Sequence, residues 1–437
     1  MNTGIVSPPQ AVSGARFNSL DDWLAWQERL HFTAIELGLD RCREVARRMD
    51  LLQPDFAVVS IAGTNGKGSS AAMLDLILRK AGYRIGRYTS PHLLRYNERI
   101  CVCGMEIDDA SLCRAFERVD QARGEVSLTY FEFGTLAALD IFRGAGIELA
   151  ILEVGLGGRL DAVNMIDPDV ALVTTVDLDH ERWLGFDRDS IGREKAGIYR
   201  TGRPALCADP DPPRSVAEAA RAIGARHYQL HREFTFASHA DTWEWRSGET
   251  VLGGLPKPSV NHRLQVQNAA GIIMVLQHLA PRFQVNRESL CAGLSEFRLP
   301  GRFQIVPGLI PHIFDVAHNR QAAEVLALNL ASLPCKGDTH LVIGMLKDKN
   351  HHAVLSALAG SADTWHLVTL GGERGAAGRQ LTEALAQIGH RGTVRVFEAI
   401  PDALKAVSAL AAPGDRIVVT GSFVTVGAAM HSLDISV

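Results

Sequence analysis

The glycine-rich turn from Gly63 to Ser69 carries the residue types best suited to phosphate chemistry. An apolar run, residues 56–62, enters this turn and a helix-period run, residues 70–80, leaves it, a pattern that predicts a strand, a turn and a helix. Glycines allow several backbone N–H groups to point at one anion, the helix N-terminus adds the positive end of its dipole, and Lys67 supplies a charge. The strict nucleotide-binding pattern is missed at its first glycine and at the Ser or Thr expected after the lysine. The turn predicts a phosphate cradle, and a purely structural turn stays open as the alternative.

Polar side chains follow two nearly continuous apolar runs, residues 148–154 and 170–176, which are typical of strands buried on both faces of a parallel sheet. Glu153 lies near the end of the first run, and His180 closes an Asp-Leu-Asp-His segment after the second. Ligands collect beyond the carboxyl ends of parallel strands, so both side chains should face the phosphate cradle. They predict Mg²⁺ bridging nucleotide phosphates, since Mg²⁺ takes few protein ligands and completes its shell with phosphate and water oxygens. A capping carboxylate and an unligated loop histidine are the alternatives.

Two further segments carry polar residues whose roles the sequence leaves open. Lys195 lies in the helix-like stretch from Ser190 to Ile198, where a lysine exposed to solvent is the default expectation. The segment from Asp315 to Asn319 follows a predicted strand, and its position at a strand end makes it a candidate ligand site.

An α/β fold has to position these residues, because strand-like and helical runs alternate along the chain. We predict an N-terminal P-loop-type nucleotide-binding α/β domain over residues 1–298 and a C-terminal doubly wound, Rossmann-like α/β domain over residues 299–437, with a hinge at Pro300 and Gly301. In the N-terminal domain, further helices are expected at residues 20–30 and 41–52, and a small antiparallel excursion at 227–255. In the C-terminal domain the predicted strands are 312–316, 339–345, 365–370, 394–397 and 416–420, and the predicted helices are 322–333, 353–358, 379–388, 402–411 and 424–433.

Composition restricts the class of protein. The 437 residues are 46% hydrophobic and 22% charged, with a formal net charge of −4, which argues against disorder and against a nucleic-acid partner. The seven cysteines are odd in number and lack C-x-x-C spacing, which favours a reducing cytoplasm. No apolar run approaches the ~20 residues of a membrane helix, and the start lacks the pattern of a secretory leader. We expect a cytoplasmic monomer that binds small molecules, with no membrane or nucleic-acid partner.

Several motifs follow one another along the chain in a characteristic order. They are GTNGKGS (63–69), TSPHL (89–93), NERI (97–100), EVGLGGRLDA (153–162), DH (179–180), REKAGI (193–198), LPGRF (299–303) and DVAHN (315–319). Together they resemble the Mur ligase superfamily and, within it, the bacterial bifunctional dihydrofolate synthase/folylpolyglutamate synthase family. The resemblance runs from about residue 20 to 430. The glycine turn is shared with the cell-wall ligases, whereas TSPHL and GLGGRLDA are typical of the folate branch.

The resemblance assigns roles to individual residues. It implies ATP contacts at Thr64, Asn65, Gly66, Lys67, Gly68, Ser69, Asn268, Arg302, Asp315 and His318, and ligands for two Mg²⁺ ions at Ser90, Glu153 and His180. It implies pterin contacts at Ile35, Glu36, Leu37, Thr129, Tyr130, Phe131, Glu132, Leu160, Asp161 and Ala162. It also implies that Lys195 is carbamylated and acts with Lys67 and His180 in catalysis, and that the C-terminal domain binds glutamate and closes over ATP. Arg320, where the family usually has proline, and Asn350, where aspartate is common, depart from the pattern.

The function implied is an ATP-dependent ligase that adds L-glutamate to dihydropteroate and to the γ-carboxylate of reduced folates. ATP would convert the substrate carboxylate to an acyl phosphate, which the amino group of glutamate then attacks. A monofunctional folylpolyglutamate synthase is the closest alternative. A Mur cell-wall ligase, which would bind a uridine-linked peptide, and a nucleotide switch without a glutamate site are the others.

Overall fold

The computed structural model describes residues 16–258 and 263–435, in which helices and strands alternate as the sequence predicts. The strands are β1 (Ala57–Ala62), β2 (Ile85–Tyr88), β3 (Ile100–Val102), β4 (Met105–Glu106), β5 (Leu149–Glu153), β6 (Val170–Val173), β7 (Pro204–Cys207), β8 (Arg226–Gln229), β9 (Thr235–Ser238), β10 (Thr242–Ser247), β11 (Thr250–Pro256), β12 (Gln304–Val306), β13 (His312–Phe314), β14 (Thr339–Ile343), β15 (Thr364–Val368), β16 (Thr393–Phe397) and β17 (Arg416–Thr420). The helices are α1 (Leu20–Leu30), α2 (Asp40–Arg48), α3 (Lys67–Lys80), α4 (Asp109–Arg123), α5 (Tyr130–Ala145), α6 (Glu181–Leu184), α7 (Arg188–Ala196), α8 (Arg214–Ala222), α9 (Arg263–Leu279), α10 (Arg287–Glu296), α11 (Arg320–Ser332), α12 (His351–Leu358), α13 (Gly378–Gln387), α14 (Ile400–Leu410) and α15 (Phe423–Ser432).

The N-terminal sheet has eight strands in the order β4-β3-β2-β5-β1-β6-β7-β8. The strands from β2 to β8 in this order are parallel. The short β3 pairs antiparallel with β2, and β4 pairs antiparallel with β3 at the edge of the sheet. All six residues of β1 are buried, because helices cover both faces of the sheet. Ile61 pairs with Glu153 of β5, and Ala62 pairs with Val173 of β6. The carboxyl ends of three central strands therefore meet at one edge, where the glycine turn begins.

The C-terminal sheet has six strands in the order β12-β13-β17-β14-β15-β16. All neighbours are parallel except β12, which pairs antiparallel with β13 at the edge. Helices α11, α12 and α13 contribute to the hydrophobic core on one face, and α14 and α15 contribute to the core on the other. This doubly wound arrangement confirms the predicted fold class.

The differences from the predicted elements are local. Helix α3 begins at Lys67 rather than at residue 70, because the polar and glycine residues of the turn carry no helical periodicity. The short strands β3, β4 and β12 are only two or three residues long and were not predicted. The antiparallel excursion expected over residues 227–255 is the sheet β11-β10-β9, which begins only at Thr235, because β8 (Arg226–Gln229) pairs parallel with β7 in the main sheet. Trp243 and Trp245 of β10 are fully buried.

The division of the chain at residues 298 and 299 stays a prediction. It falls between α10, which ends at Glu296, and β12, which begins at Gln304. All seven cysteines are free thiols. Within the described residues, none of the helices has both the length and the apolar character to cross a bilayer.

Candidate active site

The predicted phosphate cradle is a sharp turn between β1 and α3. Gly63 and Gly66 have positive φ angles of 154° and 87°. A Cβ would lie 1.9 Å from Thr174 Oγ1 if placed on Gly63, and 2.5 Å from Asn268 Oδ1 if placed on Gly66. Only glycine fits both positions. Because α3 begins at Lys67, its first N–H groups have no partner inside the helix and lie at the positive end of the helix dipole. This geometry suits a bound anion.

Lys67 lies across the same turn. Its Nζ donates to the carbonyl oxygen of Gly63 at 3.0 Å and to that of Thr64 at 3.3 Å. Burial lowers the pKa of Lys67, and the nearby carboxylate of Glu153 opposes this shift. Burial raises the pKa of Glu153, against the attraction of Lys67. The ammonium and the carboxylate thus line the same cavity and act on each other electrostatically, and in poorly solvated surroundings such charges act strongly on a bound phosphate.

A single cavity of about 1510 Å³ brings the predicted site residues together. Every one of them lines this cavity except Asn268. Asn268 lies behind the cradle, where its Nδ2 donates to Gln265 Oε1 at 3.1 Å and its Oδ1 faces Gly66. The contact of Asn268 with ATP stays a prediction, and in the structure its side chain lies next to Gly66 of the turn.

Ser90, Glu153 and His180, the predicted metal ligands, share the cavity. The Ser90 backbone N–H donates to Glu153 Oε2 at 3.2 Å, which holds Ser90 beside that carboxylate. Burial lowers the pKa of His180 to about 4, so its imidazole is neutral and able to bind a metal. A hydroxyl, a carboxylate and an imidazole fit Mg²⁺ beside a phosphate. Across residues 16–258 and 263–435, no three His, Cys, Asp or Glu side chains form a metal site by themselves, so a metal here would need phosphate and water oxygens as well.

Lys195 is only 4% exposed and reaches the cavity from α7. The glycine-rich segment before it explains this placement. A Cβ on Gly158 would lie 2.8 Å from the carbonyl oxygen of Lys195, and the Arg159 N–H donates to the carbonyl oxygen of Glu194 at 2.9 Å. Burial lowers the pKa of Lys195 to about 7, and the charge of Lys67 acts in the same direction. Near neutral pH a large share of this side chain is therefore the neutral, nucleophilic amine.

Residues of the C-terminal sheet form another side of the cavity. The carboxylate of Asp315, directly after β13, accepts hydrogen bonds from the N–H groups of Phe303 at 2.8 Å and Ala317 at 2.9 Å. Burial raises the pKa of Asp315 to about 6. The guanidinium of Arg302 lies 4.7 Å from the centre of the Phe423 ring. Both predicted ATP contacts are thus fixed by neighbours of their own domain.

Asp179 is the centre of a contact between the two sheets that the sequence did not predict. Its Oδ2 accepts from Asn319 Nδ2 at 3.1 Å, and its Oδ1 accepts from Lys349 Nζ at 2.6 Å. Asn319 also exchanges two hydrogen bonds, of 3.0 and 3.1 Å, with Asn65 of the cradle. Burial alone would raise the pKa of Asp179, but Lys349 and two nearby histidines hold it well below its usual range. The carboxylate is therefore ionised and joins the cradle side to the C-terminal domain.

Lys349 is the main cavity residue that sequence reasoning missed. The sequence marks this region only through the neighbouring Asn350, which stands where aspartate is common in the family that the chain resembles. Asn350 caps α12, its Oδ1 accepting from the Ala353 N–H at 3.0 Å. The other departure, Arg320, is exposed and pairs with Glu324 at 2.8 Å. Neither departure disturbs the cavity, and Lys349 brings a third lysine to it.

The predicted pterin residues form a further part of the cavity wall. The loop that carries residues 35–37 meets the segment 160–162 through a hydrogen bond of 3.3 Å from the Gly38 N–H to the Leu160 carbonyl oxygen. Helix α5 begins beside them with a reciprocal cap between Thr129 and Glu132. The wall thus consists of a loop, a helix start and the glycine-rich segment.

Asp161 has a structural role in this wall that bears on its predicted contact with pterin. Its Oδ2 accepts from the Leu156 N–H at 2.8 Å and its Oδ1 accepts from the Val163 N–H at 3.0 Å. The side chain is buried, which raises its pKa to about 7. The carboxylate therefore shapes the loop that lines the cavity.

We expect Asp161→Ala to lower the midpoint of thermal unfolding and to raise KM for dihydropteroate more than KM for ATP. Two backbone N–H groups lose their acceptor, at a cost of about 1 to 3 kcal/mol for each buried group. Asp167→Asn is the control, because Asp167 is exposed and its ion pair in the described structure is with Arg200. Equal rises in both KM values would argue against a pterin contact, and an unchanged midpoint would argue against the structural role.

Comparison with known proteins agrees with this geometry. Residues 301–423 match the family model described as the glutamate ligase domain of Mur ligases. The dihydrofolate synthase/folylpolyglutamate synthase of Escherichia coli (strain K12) is 42% identical over 426 residues, which cover 98% of this chain and 97% of the relative. The relative from Haemophilus influenzae is 38% identical and covers 93% of this chain.

Solved structures give the same result. E. coli FolC in complex with DHPP and ADP superposes with a TM-score of 0.90 at 42% identity, covering 98% of this chain and 99% of that chain. A bifunctional folylpolyglutamate synthase/dihydrofolate synthase with Mn, AMPPNP and L-glutamate bound gives a TM-score of 0.89 at 43% identity, with coverage of 98% and 99%. A phosphate cradle and a doubly wound glutamate ligase domain around one cavity, together with this full-length similarity, show that the chain belongs to the dihydrofolate synthase/folylpolyglutamate synthase family of the Mur ligase superfamily, a family of ATP-dependent ligases.

Proposed function

We propose that this chain adds L-glutamate to dihydropteroate, giving dihydrofolate, and to the γ-carboxylate of reduced folates, with ATP as the source of energy. The observation that carries the proposal is the single cavity, which holds the phosphate cradle and the predicted pterin wall together. A carboxylate on a pterin-bearing substrate would lie between them, within reach of a nucleotide phosphate. The relatives that bind DHPP, AMPPNP and L-glutamate support the same set of ligands.

The residues of the chain provide the groups that this reaction needs. The substrate carboxylate takes the terminal phosphoryl group of ATP, and the resulting acyl phosphate is attacked by the amino group of glutamate, so that phosphate leaves. Lys67 neutralises the charge on the phosphoryl oxygens, and Lys349 brings a second cation from the C-terminal domain. Mg²⁺, held by Ser90, Glu153 and His180, would supply further positive charge at the phosphates. Contact between the domains at Asp179 limits the access of water, which would hydrolyse an acyl phosphate.

Carbamylation of Lys195 is part of the proposal. In this reaction the neutral amine attacks CO₂, a C–N bond forms, and a proton is released, which turns a cation into a carboxylate-like group. The pKa of about 7 supports this, because a large share of the amine is neutral near physiological pH. A carbamate would also remove one of the lysine charges that crowd this cavity and could help to hold the metal. The monomeric state, the cytoplasmic location and the restriction to small-molecule partners stay predictions.

The proposal is tested by measuring phosphate release from ATP with dihydropteroate and with tetrahydrofolate, each with and without L-glutamate. We expect release in both cases only when glutamate is present. Glutamate-dependent release with tetrahydrofolate but not with dihydropteroate would indicate a monofunctional folylpolyglutamate synthase. If neither substrate supports release, release in the same assay with a uridine-linked peptide would indicate a cell-wall ligase. Release that does not depend on glutamate would indicate a nucleotide switch.

A further inference from the structure

The loop between α1 and α2, residues 31–39, forms one wall of the pterin end of the cavity. It contains no helix or strand, and in the described structure its one backbone hydrogen bond to a distant segment is the 3.3 Å bond from Gly38 to Leu160. A segment with so few backbone contacts takes its position from its side chains. The side chains that hold it therefore decide the shape of this wall.

Glu36 uses both of its carboxylate oxygens within the chain. Oε2 lies 2.8 Å from His31 Nε2, and Oε1 accepts a hydrogen bond from Arg41 Nη1. His31 Nδ1 lies 2.8 Å from Ser127 Oγ, whose hydroxyl donates to the Leu30 carbonyl oxygen at 3.1 Å. The hydrogen bond from His31 lowers the pKa of Glu36, and the charge of Arg41 adds to this effect. The ionised carboxylate is thus engaged by two partners that hold the loop.

Arg41, at the start of α2, connects this loop to a second wall. Its Nη2 donates to the Glu36 carbonyl oxygen at 3.2 Å and to Glu132 Oε1 at 3.1 Å. The other oxygen of Glu132 accepts from the Thr129 N–H at 2.8 Å, which caps α5. The Glu132 side chain is buried and that of Arg41 is partly buried. One planar guanidinium therefore joins two carboxylates that belong to facing parts of the pterin wall, a task that suits its forked donors.

We propose that Arg41 is a positioning residue for the pteroyl substrate, because its guanidinium fixes the loop 31–39 relative to the start of α5. Glu36, predicted from the sequence as a pterin contact, acts here as the anchor of the loop. The inference rests on the proposed function, since it assumes that a pteroyl group occupies this end of the cavity. It assigns Arg41 no contact with the reacting atoms.

The test is steady-state kinetics of Arg41→Gln. We expect KM for dihydropteroate to rise about tenfold, because charge-assisted hydrogen bonds between the two walls are lost. We expect kcat and KM for ATP to stay within about twofold of wild type, because the phosphate cradle is untouched. Arg41→Lys should give a smaller rise, since an ammonium restores the charge without the fork. Hydrogen exchange of the backbone amides in residues 31–39 should become faster, while exchange of the amides in helix α2 stays unchanged.

Arg47→Gln is the matched control, because Arg47 lies on the same helix and, among the described residues, forms its ion pair with Glu44 at the surface. Glu36→Gln should also raise KM for dihydropteroate, and combining it with Arg41→Gln should raise KM by less than the product of the two single effects, since both substitutions weaken the contact between Arg41 and Glu36. The single variant Glu36→Gln also keeps the test decisive if Arg41→Gln does not fold.

Unchanged KM for dihydropteroate in Arg41→Gln and in Glu36→Gln, or equal rises in KM for dihydropteroate and ATP, would overturn the inference. If wild type itself shows no dihydropteroate-dependent turnover, the proposed function fails, whereas unchanged exchange of the loop in Arg41→Gln would refute the anchoring role independently.

Discussion

Lys67→Ala is expected to lower ATP-dependent glutamate ligation by about 100- to 1000-fold while leaving the fold intact. Lys67 lies in the first turn of α3, and its Nζ spans the cradle between the carbonyl oxygens of Gly63 and Thr64. Removing it takes away the cation that the cradle itself supplies to the transferring phosphoryl group. Because burial lowers its pKa, folding already disfavours the ammonium, so we expect no fall in the free energy of unfolding.

The measurement is glutamate-dependent phosphate release together with a thermal unfolding curve. Lys80→Ala is the control, because Lys80 lies at the opposite end of α3 and pairs with Glu296 near the surface. Activity of Lys67→Ala within about tenfold of wild type, or about 1.4 kcal/mol in the barrier, would contradict the phosphate role. A large fall in the unfolding midpoint would instead assign the loss to folding.

Lys195→Ala is expected to lose activity by a similar factor, about 100-fold or more, and to regain part of it when a short carboxylate such as formate is added. The added carboxylate would occupy the place of the proposed carbamate. Lys405→Ala is the control, because Lys405 is an exposed lysine of α14. Its activity should equal that of wild type both with and without added formate. Failure of every short carboxylate to restore activity would argue against a carbamate.

The carbamate itself is detectable without an activity measurement. Wild type equilibrated with ¹³C-labelled bicarbonate should show a carbamate carbon signal that Lys195→Ala lacks. CO₂ reacts with the neutral amine, and burial lowers the pKa of Lys195 to about 7, so formation of the signal should be favoured above this pH and suppressed below it. A signal of equal size in the variant would place the modification elsewhere.

Much of the fold follows from local sequence patterns. Residues 20–30 and 416–420 form the predicted helix and strand with the predicted bounds, because their apolar periodicity matches their final environment. The cradle was predictable for another reason. Its glycines occupy positions where a Cβ would clash with Thr174 or Asn268, so the presence of glycine at these positions indicates the shape of the turn.

The parts of the site that escaped prediction depend on contacts between distant residues. Asp179 and Lys349 are 170 positions apart, and their ion pair exists only once the two domains meet. The burial that distinguishes Lys195 from an ordinary surface lysine comes from Gly158 and its neighbours, which pack against the backbone of α7. Arg41 likewise has its role through Glu132, 91 positions away. No local pattern distinguishes such side chains from solvated ones.

The side chain of Asn65 links the phosphate cradle to the C-terminal domain, so nucleotide binding and the contact between the domains are thermodynamically coupled. Asn65 belongs to the cradle, yet its amide is hydrogen-bonded to Asn319 and Gln321 of the C-terminal domain. If nucleotide binding favours the arrangement in which these bonds form, the same bonds must favour nucleotide binding by an equal free energy. The affinity for ATP therefore depends on the free energy of the contact between the two domains. A substitution at Asn319 that removes these hydrogen bonds is expected to raise the dissociation constant of the nucleotide, although it removes no group of the cradle.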